Sequence, residues 1–207
     1  MKLYLSSYKL GNKTTELIKL IPTSDKKIGY VPNALDFTKA NPQRVKKHIK
    51  TDVNDLKNLG LKVELLDLKK YFYEKDKLRK KIIELGAIWV SGGNVFVLRQ
   101  AMKLSGLDTI LKEMALGQDF FYGGYSAAGC VLSPTLKGYH IVDDSKDMPY
   151  PSSKKVLWDG LGFIDYVFLP HYNSNHPESE DINKEIEYCK KHNMPYRTLR
   201  DGDVIIN

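Results

Sequence analysis

Ser126 is the residue in this chain best placed to become a nucleophile. It follows an apolar run, Phe120-Phe121-Tyr122, and a glycine pair, and it leads into Ala127-Ala128-Gly129-Cys130. An apolar run of this length ending at glycines reads as a buried strand. A strand that turns sharply into a helix at a serine holds Oγ clear of the backbone, the arrangement known as a nucleophile elbow. Its neighbours must be small because strand and helix approach closely. The usual spacing is G-x-S-x-G, whereas here Ala128 stands at the last glycine and Gly129 comes one position late. The expectation is that the Ala128 methyl crowds the helix against the strand and tilts Ser126.

A serine needs a base, and the chain holds five histidines. His171, in Pro170-His171-Tyr172, comes directly off an apolar stretch and is the candidate base. His176, in His-Pro-Glu-Ser, reads as a loop or capping residue. His48 on a lysine-rich helix and His192 near a helix end read as solvated, and His140 carries no assignment. An acid should orient the imidazole. Asp143, Asp144 and Asp147 lie between serine and histidine, an order with precedent. Glu178 and Glu180 could approach His171 from the other side, although Glu178 also suits a helix N-terminus. The residues themselves leave the acid open.

The turn Ser91-Gly92-Gly93-Asn94 follows an apolar stretch and precedes a helical one. Backbone N–H groups in such a turn could form an oxyanion hole or a phosphate cradle. A phosphate loop calls for a longer glycine run or a GK[ST] ending, and neither is present. As an oxyanion hole, Gly92 and Gly93 would act with the amide of Ala127. No H-E-x-x-H, C-x-x-C or paired-histidine spacing occurs, so neither a catalytic metal nor a cofactor is expected.

The elements that must hold these groups read as alternating strands and helices. Strands are expected at 3–6, 27–31, 62–68, 87–90 and 164–169, and helices at 14–20, 42–59, 75–85 and 178–192. A terminal hairpin at 196–206 would turn on Asp201-Gly202. The segment from Pro134 to about Leu157 reads as a loop-rich insertion or peripheral hairpin. The alternation predicts an α/β three-layer sandwich with a mostly parallel sheet, and a single domain over residues 1–207. Ligands of such sheets gather at the carboxyl ends of the strands. Asn33 to Asp36, Ser91 to Asn94, Ser126 and His171 all fall there.

Composition narrows the class. The 207 residues are 42% hydrophobic, enough for a sizeable core. The formal net charge of +7 is spread over scattered lysine pairs with no aromatic-interleaved stripe, which argues against a nucleic-acid partner. Cys130 and Cys189 lie in unlike contexts, so no disulfide is expected. No stretch has the length of a membrane span and the N-terminus lacks a signal-peptide core, so the expected location is the cytoplasm, with no membrane partner. Leu157, Trp158 and Phe163 are candidates for a homodimer contact, with core burial as the alternative. The abrupt end at Asn207 leaves room for a longer natural chain.

SGGN at 91–94, GGYSA at 123–127, DMP at 147–149 and PHY at 170–172, in this order, resemble the peptidase E family of serine dipeptidases, relatives of the class I glutamine amidotransferases. The resemblance implies a flavodoxin-like fold, Ser126 as nucleophile, His171 as base, Asp147 as orienting acid, and oxyanion donors from Gly92, Gly93 and Ala127. It also implies metal-independent hydrolysis of short peptides with an N-terminal aspartate. The segment between Ser126 and Asp147 is longer than in that family's type enzyme, which keeps Asp143 and Asp144 as alternatives. The expected activity is therefore that of a serine-type hydrolase of small peptides. The alternatives are a catalytically impaired binding member of the same fold, which Ala128 favours, or an esterase or amidase with a non-peptide substrate.

Overall fold

The computed structural model describes residues 1–22, 25–117 and 119–207. Its central sheet has six strands in the order β3-β2-β4-β5-β1-β8. These are β1 (Lys2–Ser6), β2 (Lys27–Val31), β3 (Lys62–Leu65), β4 (Ala87–Val90), β5 (Phe121–Tyr125) and β8 (Val204–Ile206). All neighbours run parallel except β8, which lies antiparallel to β1. The middle strands β4 and β5 are buried at every position, as their unbroken apolar sequences require of strands covered on both faces. Edge strand β3 is largely exposed.

Side-chain alternation divides the core into two layers. Ala87 and Trp89 of β4 pack with Tyr4, Tyr30 and Phe121 on one face, while Ile88 and Val90 join Leu5, Val31 and Phe96 on the other. The helices covering the sheet begin and end where their sequences dictate. Helix α2 (Pro42–Asn58) starts with proline behind Asn41, whose side chain accepts from the amides of Gln43 and Arg44. Helix α3 (Lys75–Leu85) stops at Gly86, whose φ of 63° suits glycine. Helix α4 (Val95–Ser105) is capped by the Asn94 side chain, which fixes the turn containing Gly92 and Gly93. Short α1 (Thr14–Leu20), α5 (Leu107–Ala115), α6 (Ala127–Cys130) and α7 (Ser179–Lys191) complete the set.

Three expectations need correcting. The third strand stops at Leu65, and Leu68 already lies in a 3-10 turn (Leu68–Tyr71). The last two strands do not form a hairpin. Strand β7 (Tyr196–Thr198) pairs in parallel with β6 (Val167–Leu169) in a separate two-stranded sheet, and β8 returns to the central sheet beside β1. The Asp201-Gly202 turn therefore carries the chain from one sheet to the other. The segment 134–157 is not peripheral, since it lies across the strand ends. The Tyr150 hydroxyl donates to Asp36 (2.7 Å), and the Gln100 amide donates to the Asp147 carbonyl (2.8 Å). Among the described residues no helix is long and apolar enough to cross a membrane, and both cysteines are buried and free.

Candidate active site

The carboxyl ends of β2, β4, β5 and β6 and the 134–157 segment border an open cavity of about 460 Å³. Gly92, Gly93, Ser126, His171, Asp143, Asp144, Asp147 and Glu178 all face it, so topology brings together every side of the expected site. Ser126 occupies the turn between β5 and α6 at φ 51° and ψ −112°, a conformation disfavoured for residues other than glycine. The strain is held by the Ser126 amide donating to the Ser6 carbonyl (3.1 Å) and by the bonds that start α6 on the Ser126 carbonyl.

Ala128 does not distort this elbow. A Cβ on Gly124 would stand 2.5 Å from the Ala128 methyl, so Gly124 supplies the space that the methyl takes. The close approach that forbids a side chain falls on Gly129, where a Cβ would meet the Phe168 ring at 2.6 Å. The small-residue requirement is met by Gly124 and Gly129 together.

His171 leaves β6 at φ 61°, with its amide donating to Ser7 Oγ (2.8 Å). Its Nδ1 lies 2.7 Å from Asp201 Oδ1, and the same oxygen accepts from Ser7 Oγ (2.9 Å). The carboxylate can only accept, so Nδ1 carries the proton and Nε2 presents a lone pair. Burial pushes the imidazole down to about 4, and neighbouring His176 adds to the shift while Asp201 opposes it. His171 is therefore a neutral ring at pH 7. Tyr8 meets the His171, His176 and Tyr125 rings edge-on. Ser126 and His171 face one cavity, and among the described residues no hydrogen bond joins them; such contacts are often loose before substrate binds.

The acid on His171 is thus Asp201 and none of the residues considered from the sequence. Asp147 accepts from the Thr38 amide (2.9 Å) and hydroxyl, which ties the β2 loop to the 134–157 segment. Asp144 closes its own turn by accepting from the Lys146 amide (3.0 Å). Asp143 accepts from the Val95 amide (2.7 Å), and burial pushes its carboxyl up to about 7. Glu178 stands with Oε2 4.0 Å from His171 Nε2. The sequence hid Asp201 inside a hairpin signal. Asp201 lies in the turn after β7 (Tyr196–Thr198), and its approach to His171 depends on the pairing of β7 with β6.

Two histidines also differ from expectation. His48 lines the cavity, its Nε2 2.5 Å from the Tyr125 hydroxyl, which donates to buried Asp52 (2.6 Å). Lys9 and Tyr30 donate to the same carboxylate, so the residue before Ser126 is anchored by a buried polar network. His176 does accept from the Glu178 amide (3.3 Å), but it also stacks on His171 at 3.7 Å.

On the oxyanion side, the amides of Gly93 and Ala127 have no protein acceptor among the described residues, while the backbone of Gly92 reaches the Tyr125 hydroxyl. Gly93 has φ 136°, and a Cβ there would collide with the Ala34 carbonyl at 2.4 Å, so glycine is required. His171, His176 and Glu178 have ligand atoms within 4.8 Å of one another. The two rings are stacked 9° from parallel, however, so their in-plane lone pairs do not converge as a tetrahedral metal requires.

The model of peptidase family S51 matches residues 5–206. An uncharacterized peptidase of Listeria monocytogenes is 31% identical over 168 residues, covering 80% of this chain and 75% of that one. A Drosophila melanogaster protein named "Probable alpha-aspartyl dipeptidase" is 29% identical over 138 residues, covering 63% of this chain and 53% of that one. A crystal structure of a Listeria monocytogenes EGD-e protein assigned to peptidase E superposes with a TM-score of 0.72 at 26% identity, over 100% of this chain and 97% of that one.

Proposed function

Because this chain belongs to peptidase family S51, we propose that it hydrolyses short peptides by a serine mechanism through an acyl-enzyme on Ser126. The observation that carries the reading is His171, bonded through Nδ1 to Asp201, facing the same cavity as the strained elbow serine and Gly93, with the Ala127 amide directly after the serine.

Neutral His171 takes the Ser126 proton on Nε2 as Oγ attacks the peptide carbonyl. The amides of Gly93 and Ala127 hold the oxyanion that forms, at positions where their N–H groups are already free. Asp201 stabilises the resulting imidazolium through Nδ1–H without taking the proton. The imidazolium then protonates the departing amine. Water, deprotonated by His171, releases the acyl group and restores Ser126. Strain at Ser126 and the Tyr125 anchor fix the nucleophile before substrate arrives.

The cavity's volume of about 460 Å³, with Val142, Asp143, Asp144 and Asp147 of the 134–157 segment on its wall, suits short peptides. The name of the Drosophila relative adds a finer reading, cleavage after an N-terminal aspartate. Its carboxylate would draw on Lys39 and His48, which line the cavity.

A fluorophosphonate probe and a dipeptide panel test the mechanism. The expected result is one probe per chain on Ser126, with labelling and hydrolysis both lost in Ser126→Ala. Hydrolysis retained in that variant would overturn the serine mechanism, and an inert Ser126 with bound peptides would favour the non-catalytic reading.

A further inference from the structure

Tyr8, two residues beyond β1, lines the cavity and is 39% exposed. Its hydroxyl has no hydrogen-bond partner among the described residues. The backbone is nonetheless held, since the Tyr8 carbonyl accepts from Ser6 Oγ (3.0 Å) and from the Gly11 amide (3.2 Å). The ring centre stands 5.8 Å from that of His171, 5.5 Å from that of His176 and 6.1 Å from that of Tyr125, edge-on to each. With His176 stacked on His171, the Tyr8 and His176 rings form a corner beside the base. The other tyrosine and phenylalanine rings on the wall do not compete for this place. Tyr125 is buried and donates to Asp52, and Phe37 makes no ring contact with His171 among the described residues. A ring held in one place with its face open to water is an apolar platform, because covering it removes apolar surface at little cost in ordering.

We infer that Tyr8 is the specificity-determining residue for the leaving group: the side chain of the residue released as the free amine packs against its ring. Leucine, methionine or phenylalanine is then preferred at that position over glycine or alanine. The inference deepens the proposed peptidase reading and rests on His171 protonating the departing amine. That step brings the scissile nitrogen within about 3 Å of His171 Nε2. The Cβ of the same residue is two bonds further on, so it lies within about 5.5 Å of Nε2. This is the distance at which the Tyr8 ring stands from the imidazole. The residue on the acyl side is held elsewhere, by Ser126 and the amides of Gly93 and Ala127.

The direct experiment is calorimetric binding of two dipeptide series, Asp-Gly, Asp-Leu, Asp-Phe and Ala-Gly, Ala-Leu, Ala-Phe, to the Ser126→Ala protein. It is run beside fluorophosphonate labelling of the unmodified protein. In whichever series binds more tightly, the leucine and phenylalanine peptides are expected to exceed the glycine peptide about tenfold. The ratio should collapse when Tyr8→Ala is added and persist in Tyr8→Phe, which keeps the ring. Equal affinity for glycine and leucine peptides would overturn the subsite, as would failure of both leucine peptides to bind. A ratio that survives Tyr8→Ala in a folded protein would also overturn it, because a loss shared equally by all peptides marks a structural role. Should Tyr8→Ala fail to fold, the comparison of peptides on the Ser126→Ala protein decides alone. Failure of Ser126 to label, with the ratio intact and dependent on Tyr8, would count against the serine mechanism and leave the Tyr8 subsite standing.

Discussion

His171 Nδ1 lies 2.7 Å from Asp201 Oδ1, across a gap of 30 residues in sequence. The contact exists because β6 and β7 pair side by side, with the Leu199 amide bonding to the Leu169 carbonyl and the Tyr172 amide to the Leu199 carbonyl. Histidine and aspartate therefore emerge together from neighbouring strand ends. Ser7, at the end of β1, bonds to both and ties them to the central sheet.

Replacing Asp201 with Asn should leave the fold intact and lower kcat by about 10³–10⁴-fold, because the amide can stabilise the wrong imidazole tautomer. Asp147→Asn should have a much smaller effect on kcat, since that carboxylate is bonded to Thr38. Steady-state kinetics of the two variants on one dipeptide separate the assignments. Comparable losses in kcat would remove Asp201 from the role.

The elbow makes an opposite pair of predictions. Ala128→Gly should bring no gain in activity and cost about 1 kcal/mol, because a buried helical alanine becomes glycine. Gly129→Ala should cost about 1–3 kcal/mol as its methyl is driven into the Phe168 ring. Urea unfolding of the three proteins gives the order wild type, Ala128→Gly, Gly129→Ala.

The acid limb of kcat/KM should fall well below the ordinary imidazole value of about 6.5, toward 4. His171 must be neutral to accept the Ser126 proton, and burial keeps it neutral at pH values where a solvated histidine is charged. His176 contributes to this by disfavouring a second positive charge beside it. His176→Gln should therefore move the acid limb upward. A limb that stays fixed would show that His176 does not act on the His171 charge.

Buried Glu185 has a carboxyl raised well above its usual range, first by burial and then by Asp143 and Glu178. The unfolded chain ionises this group near pH 4.5, while the folded chain keeps its proton to higher pH. Its contribution to stability is thus fullest below pH 4.5 and is lost as pH rises through the folded value. Glu185→Gln removes that dependence. The melting temperature of the variant relative to wild type should increase between pH 4 and pH 8, and a constant difference would contradict the assignment.

Much of this protein was determined by local sequence. Apolar runs bounded by glycines set the strands, and Asn41, Asn94 and Gly86 set the helix ends. Ser126 and the Gly92-Gly93 turn each sit within a few residues of neighbouring strand ends, so in a parallel sheet their convergence follows from topology, whereas His171 comes from the separate β6-β7 pair and is brought to them by packing. Other features required the tertiary structure. Asp201 sits in a dipeptide that signals a hairpin, and local sequence carries no record of which sheet the next strand joins. His48 looks solvated amid its lysines, and only the docking of α2 turns it toward Tyr125. Ala128 looks like a defect until Gly124 and Gly129 are seen to make its space. Strand positions arise from patterns a few residues long, whereas the partner of a histidine or the room for a methyl depends on which distant surfaces are packed together.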